Sequence, residues 1–208
     1  MSIKINKYRR GKDYDHYKFV KSIYPTDNKE KLKDALQQAR SRYPIKPGNF
    51  RGTTLCLTNA CRVNVNNYMN NITKPSDYLI IEPTINLRAT NTAQKMNIWK
   101  GIVLIGATTD KKCIKNGTRY KIIDIVQGVV TLYQVNDKDE QLGETFTMAP
   151  QEVGEKLLLS HAITYDSSQA RTIYGDLRLM QTDHKMMTLR RLIVGLGRAP
   201  DGNKVQVS

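Results

Sequence analysis

Apolar positions along this chain change rhythm three times. A helix is expected over residues 13–24, and a second follows Pro25, where Thr26, Asp27 and Asn28 can each cap it. In that second helix Leu32, Ala35, Leu36 and Ala39 recur at helical spacing along one face to about Tyr43, before Pro44 and Pro47-Gly48 stop it. The run TTLCL (53–57) is short, β-rich and bounded by polar residues, as a buried strand is. Thr58-Asn59 follow it directly, and a helix then runs through Val63, Val65 and Tyr68 to about Asn70. Residues 71–100 read as irregular, with a strand over 78–81 that Pro83 breaks.

From about 98 to 150 the apolar runs become short and alternating. Strands are expected over 103–105, 120–126 and 129–135, with Asn116-Gly117 and Gln127-Gly128 as tight connections. Trp99 and Met96 are expected to pack the base of this antiparallel part. After residue 156 the longer pattern returns: Leu157 to Leu159 with Ala162 and Ile163 as one strand, a polar turn over 164–169, and a strand over 175–179. A helix from about Lys185 then carries Leu189, Leu192 and Ile193, and a last short strand ends the chain. The pattern predicts an α/β domain made of residues 1–97 and 156–208, interrupted over 98–155 by a small antiparallel β-barrel or sheet.

Composition sets the class of partner. With 208 residues, of which 39% are hydrophobic, the chain can bury a core, while 33 Lys and Arg against 19 Asp and Glu give a net charge of +14. Residues 1–51 alone hold fourteen basic against five acidic side chains, so the front end is where an anion is expected. No apolar run approaches the ~20 residues of a membrane span, and no signal-peptide core opens the chain. Cys56, Cys61 and Cys113 are odd in number and lack CxxC spacing, which fits reduced thiols of an intracellular protein. The three histidines are scattered, so no metal is assigned to the chain itself.

The candidate chemistry sits at element ends. Arg9 and Arg10, in KYRRG, present guanidinium forks ahead of the first helix, where they reach a phosphate or form a basic arm. Thr58 and Asn59 stand at a strand-to-helix junction and serve either as plain caps or as phosphate contacts. Thr164, Asp166, Ser167, Ser168 and Gln169 follow a strand's C-terminal end, where ligands of open α/β sheets collect; a polar turn is the competing description. Arg198 springs from the glycine-flanked end of a helix and can be aimed across a cleft, the alternative being a surface arginine without a role.

These residues resemble a family. AITYDSSQARTI (162–173) and LIVGLGRAPDGNKVQV (192–207) look like the last two motifs of superfamily 1 DNA helicases of the RecD/Dda branch, which typically read Thr-x-His-Lys-Ser-Gln-Gly and Val-Ala-Leu-Ser-Arg. Tyr8-Arg9, LCLTNACRVNVNN (55–67) and GIVLIGATTDKKCIKNGTRYKII (101–123) resemble three earlier segments of that family in the same order. Asp166 stands for the usual His, Ser167 for Lys, Ala170 for Gly, and Gly195 and Gly197 for Ala and Ser.

The resemblance implies a RecA-like second motor domain carrying an inserted barrel. It makes Arg198 the arginine finger and Arg9, or Arg10 one position on, a second γ-phosphate contact. Gln169 would line the nucleotide cleft, and Thr164 and Ser168, with Thr58 and Asn59, would touch single-stranded DNA. No GxxxxGK[ST] phosphate loop occurs, so ATP and Mg²⁺ would be bound jointly with an N-terminal RecA-like domain that this chain lacks, and the chain alone would hydrolyse nothing. The alternative is a non-enzymatic nucleic-acid-binding module of a replication complex.

Overall fold

The computed structural model describes residues 11, 13–23, 28–83, 94–110 and 113–208. Helix α1 (Tyr14–Ser22) starts where the Asp13 carboxylate accepts the His16 N–H at 2.9 Å. Helix α2 (Lys29–Arg42) starts where Asn28 accepts the N–H groups of Glu30 and Lys31 at 2.9 and 3.2 Å. Strand β1 (Thr53–Cys56) leads into α3 (Asn59–Thr73), capped by Thr58. Strands β2 (Leu79–Ile81), β3 (Met96–Ile98), β4 (Val103–Gly106), β5 (Arg119–Val126), β6 (Val129–Val135) and β7 (Gln141–Met148) precede a short helix, α4 (Pro150–Lys156), and β8 (Leu157–Leu159). Strand β9 (Ala162–Thr164), a single tight turn over Asp166–Ser168, β10 (Leu177–Leu179), α5 (Leu189–Leu196) and β11 (Val205–Val207) complete the order.

The chain folds into two compact units, one of residues up to 57 together with 163–208, the other of residues 58–162. The first is built on a four-stranded sheet ordered β11-β10-β1-β9, in which β10 runs parallel to both β1 and β11. Leu55, Leu177, Leu179, Val205 and Val207 are buried in it, as are Leu192 and Leu196 of α5 and Ala35, Leu36 and Ala39 of α2. Helix α5 lies so close to the sheet that a Cβ on Gly195 would sit 2.8 Å from the Tyr165 ring and 2.9 Å from Leu179 Cδ2. Glycine at 195, where the resembling helicases carry alanine, follows from that approach.

The second unit is built on a five-stranded antiparallel sheet ordered β7-β6-β5-β4-β8 and a two-stranded one pairing β2 with β3. Leu104, Tyr120, Ile122, Leu132, Leu157 and Leu159 form its buried centre, with Met96 inside it and Trp99 packed against it. Gln127 and Gly128 both take positive φ, 47° and 76°, which is the turn that matches the twist of a two-residue hairpin between β5 and β6. Where a small barrel was expected the chain forms this antiparallel sheet, with β7 and β8 as its outer strands.

Five sequence expectations change. The strand expected from Leu157 through Ile163 is two strands in different sheets: β8 pairs antiparallel with β4, and β9 joins β1 beyond a break at Ser160-His161, where the Ser160 hydroxyl donates to the Val103 carbonyl at 2.5 Å. The helix expected from Lys185 begins at Leu189, because residues 181–187 are spent on successive turns, His184 N–H to Gln181 O and Met187 N–H to His184 O, before Thr188 caps. In the stretch read as irregular the strand expected over 78–81 is β2, but it pairs with a second strand there, β3, and α4 lies where only the end of the barrel was expected. The compact second unit also reaches further than 98–155, since it includes α3.

Two asparagines explain why α3 belongs there. Asn66 donates to the carbonyls of Leu159 and Ala162 at 3.3 and 3.1 Å and accepts the Ala162 N–H at 2.7 Å. One turn on, Asn70 exchanges two 2.8 Å bonds with the backbone of Asn97 in β3. Both side chains are buried, so their amides serve in place of a neighbouring strand's backbone.

Candidate functional site

Strand β9 enters the site through Tyr165, whose ring is buried, whose N–H donates to the Cys56 carbonyl at 3.1 Å and whose hydroxyl donates to the Met180 carbonyl at 3.3 Å. These bonds fix where the following turn begins. Thr164 and Ser167 face solvent at its edge, with their hydroxyls 2.8 Å apart and the Ser167 N–H donating to Thr164 Oγ1. Ser168 is fully buried and its hydroxyl donates to the Tyr165 carbonyl at 2.7 Å, so it shapes the turn from inside. Gln169 is exposed, and Ala170 after it holds φ at +64°, a left-handed backbone in the place where the resembling motif has glycine.

Arg198 closes the site from the other side. Its backbone ends α5 in the bond from its N–H to Gly195 O, and its carbonyl accepts the Ile173 N–H at 2.8 Å. Its guanidinium is folded over the turn: Nε donates to Val194 O at 3.0 Å, and Nη1 to Ser168 O and Arg171 O at 3.4 and 3.3 Å. A cation is well placed here, because carbonyls at the C-terminal end of a helix and of a tight turn converge on it. Arg171 donates to Ser167 O at 3.1 Å, and Arg191 donates to Met186 O at 2.6 Å while lying 3.5 Å from the Asp166 carboxylate. Three guanidinium groups thus ring one short polar turn, the charge pattern that suits a polyanion.

The end of α5 is held from behind by a buried network. His16 bridges the Tyr43 hydroxyl at 2.7 Å and the Leu196 carbonyl at 3.0 Å. A carbonyl can only accept, so Nε2 carries the proton and Nδ1 accepts from Tyr43, whose oxygen in turn accepts from Arg42 Nε at 3.1 Å. Burial holds the His16 imidazole below its ordinary value and pushes the Tyr43 phenol up to about 12. Burial would raise the Asp13 carboxyl, but the N–H groups of His16 and Gly202 that it accepts hold it below the ordinary range. This network fixes Leu196, two residues before Arg198.

Of the sequence candidates, Thr164, Ser168, Gln169 and Arg198 gather around this one turn. Thr58 and Asn59 lie in the other unit, at the start of α3, where Thr58 accepts the Cys61 N–H at 3.2 Å and Asn59 accepts from Arg62 Nε at 3.2 Å. Arg9 and Arg10 lie outside the described residues. Sequence reasoning missed Arg171, Arg191 and His16. Spacing held a signal for the last of these, since an Asp three residues ahead of a histidine marks a cap whose first turn carries the ring inward. Among the described residues no three His, Cys, Asp or Glu side chains come together to hold a metal, and no described helix is long and apolar enough to cross a membrane.

No family model and no curated protein matches the sequence. Among solved structures the chain is similar to a Bacteroides Pif1 bound to single-stranded DNA, at 15% identity and a TM-score of 0.62 over 97% of this chain and 50% of that one. It is similar to the Bacteroides Pif1 helicase in complex with ADP-AlF3 and single-stranded DNA, at 15% identity and 0.60 over 99% and 51%. The Candida albicans Pif1 helicase gives 18% identity and 0.55 over 94% and 53%. The chain spans about half the length of these helicases. Its mixed α/β fold, with a parallel-sheet unit and antiparallel sheets beside it in sequence, is that of the RecA-like part of solved Pif1 helicases.

Proposed function

We propose that this chain is the second RecA-like half of an ATP-dependent superfamily 1 DNA helicase of the RecD/Dda branch, with residues 98–155 inserted as a small barrel. The observation that carries the reading is Arg198, seated at the end of α5 against the 164–171 turn in a parallel-sheet unit. In this reading Arg198 is the arginine finger and leaves the Ser168 and Arg171 carbonyls when a γ-phosphate competes for its guanidinium. Exposed Gln169 lines the nucleotide cleft, and Arg9 or Arg10 supplies the second phosphate contact. Thr164 and Thr58, with Asn59, face single-stranded DNA, while buried Ser168 acts through the shape of the turn.

The carboxylates that would hold Mg²⁺ and the loop that would cradle the phosphates belong to an N-terminal RecA-like partner half. ATP supplies the phosphoryl group whose developing charge Arg198 would neutralise. The test joins this chain to a phosphate-loop half and compares it with its Arg198→Ala form. ATPase kcat should fall by about 10³-fold or more, with single-stranded DNA binding within about twofold. An unchanged kcat overturns the finger assignment. Absence of ATPase from the joined wild-type protein, with DNA binding intact, favours the non-enzymatic nucleic-acid-binding module instead.

A further inference from the structure

We propose that the groove between α2 and the 182–187 turns docks an acidic amphipathic helix of a partner protein. This goes beyond the helicase reading and does not depend on it. The groove encloses about 580 Å³, and its floor is apolar: Leu32 half-buried, Leu36 and Met187 buried. Its rim is cationic, because Lys29 and Lys33 stand one helical turn apart on α2 and Lys185 stands in the facing wall, all three exposed. Among the described residues none of these three lysines makes an ion pair. The far end is closed differently, since Arg40 is tied to Asp183 at 2.7 Å and to Thr182 at 2.6 Å.

An apolar strip with Lys29 and Lys33 along one side and Lys185 on the other complements a helix with leucine-type side chains on one face and carboxylates on both flanks. Leucine and methionine adapt to anchors at i, i+3, i+4 and i+7. A single strand of nucleic acid is the poorer occupant. It is held chiefly by large aromatic rings on which successive bases stack, and no Phe, Tyr or Trp lines this groove, whose one ring is the half-buried imidazole of His184.

The test uses the whole chain and a labelled synthetic peptide repeating the heptad Glu-Leu-Glu-Glu-Leu-Leu-Glu, followed by fluorescence anisotropy. Binding in the micromolar range is expected. Combined Lys29→Glu, Lys33→Glu and Lys185→Glu, all on exposed positions, should weaken it about tenfold or more, and Leu32→Asn about fivefold. A peptide of the same composition with its leucines moved out of helical spacing should also bind about fivefold more weakly. Equal binding of the rearranged peptide would reduce the effect to bulk charge and overturn the proposal. So would an oligothymidylate that displaces the peptide and loses as much affinity to Leu32→Asn as the peptide does, because the groove would then be a nucleic-acid site.

Discussion

Two junctions of this chain carry nearly the same polar residues and spend them in opposite ways. After β1, Thr58 and Asn59 open α3, and the helix then carries Asn66 and Asn70 inward, one turn apart, to bond strand backbones. After β9, Thr164 and Ser167 stay at the surface, and the arginines around them bond carbonyls at the rim. A helix can deliver an amide every fourth residue to a neighbouring strand, so its polar side chains become internal ties. A single tight turn has no such reach, and its hydroxyls and guanidinium groups remain where a ligand can meet them. Residue type alone therefore does not separate a structural amide from a binding one.

The sharpest break of this contrast is to truncate one residue at each junction. Asn66→Ala leaves the backbone groups of Leu159 and Ala162 buried without their partner and should cost about 3 kcal/mol. Thr164→Ala removes one surface hydroxyl, with its bonds to the Ser167 hydroxyl and N–H at a turn that water can reach, and should cost less than about 1 kcal/mol. Urea unfolding followed by the fluorescence of Trp99, the chain's single tryptophan, reads the first directly. Similar costs for both would dissolve the distinction between the junctions.

The buried histidines give the next largest effect. His16 sits in the first unit with two hydrogen-bond partners, whereas His161 sits in the second with its Nε2 buried and unpartnered among the described residues. Burial lowers both below 6.5. A lowered histidine is neutral in the fold and takes up its proton more readily when unfolded. The stability it contributes is therefore whole above about pH 6.5 and is lost as pH falls from there toward the folded-state value. His16→Phe should cost about 2 kcal/mol at pH 7, because the Tyr43 hydroxyl and Leu196 carbonyl lose their partner. His161→Leu should change stability at pH 7 by less than about 1 kcal/mol and flatten part of the acid slope. Urea titrations at pH 5, 6 and 7 separate the two.

Both units were legible where their signals are local. The spacing of Leu32, Ala35, Leu36 and Ala39 marked α2's buried face, and Gln127-Gly128 marked a hairpin turn. The gathering of Thr164, Gln169 and Arg198 was legible through the order of motifs rather than through periodicity. What escaped depends on partners far along the chain. Nothing near Leu159 says that it pairs with Leu104 while Ala162, three residues on, belongs to another sheet. Nothing near His16 says that its ring will meet the carbonyl of Leu196. Asn66 and Asn70 were visible as asparagines on a helix, but only the fold turns them inward.

The turn itself yields a smaller, stabilising change. Ala170 holds φ at +64°, which costs an L-residue about 1–2 kcal/mol, part of which glycine's greater freedom in the unfolded chain offsets. Ala170→Gly should therefore stabilise the chain by about 0.5–1 kcal/mol, seen as a higher urea midpoint with an unchanged slope. A loss of stability would mean that the alanine methyl makes contacts worth more than the backbone strain.

The smallest change in stability tests the rim most directly. Asp166 is largely exposed and lies 3.5 Å from Arg191, so Asp166→Asn should alter stability by less than about 0.5 kcal/mol. Its effect on binding should exceed that. Asp166 is the carboxylate set among Arg171, Arg191 and Arg198, and where the resembling motif carries a histidine it opposes any phosphate that approaches Thr164 and Ser167. Removing its charge should tighten binding of an oligothymidylate about threefold at low salt, with the gain shrinking as salt rises. Asp124→Asn, which neutralises an exposed carboxylate on β5, controls for net charge. If both substitutions tighten binding equally, the chain's overall charge governs the effect; if only Asp166→Asn does, the nucleic acid lies along the 164–171 turn.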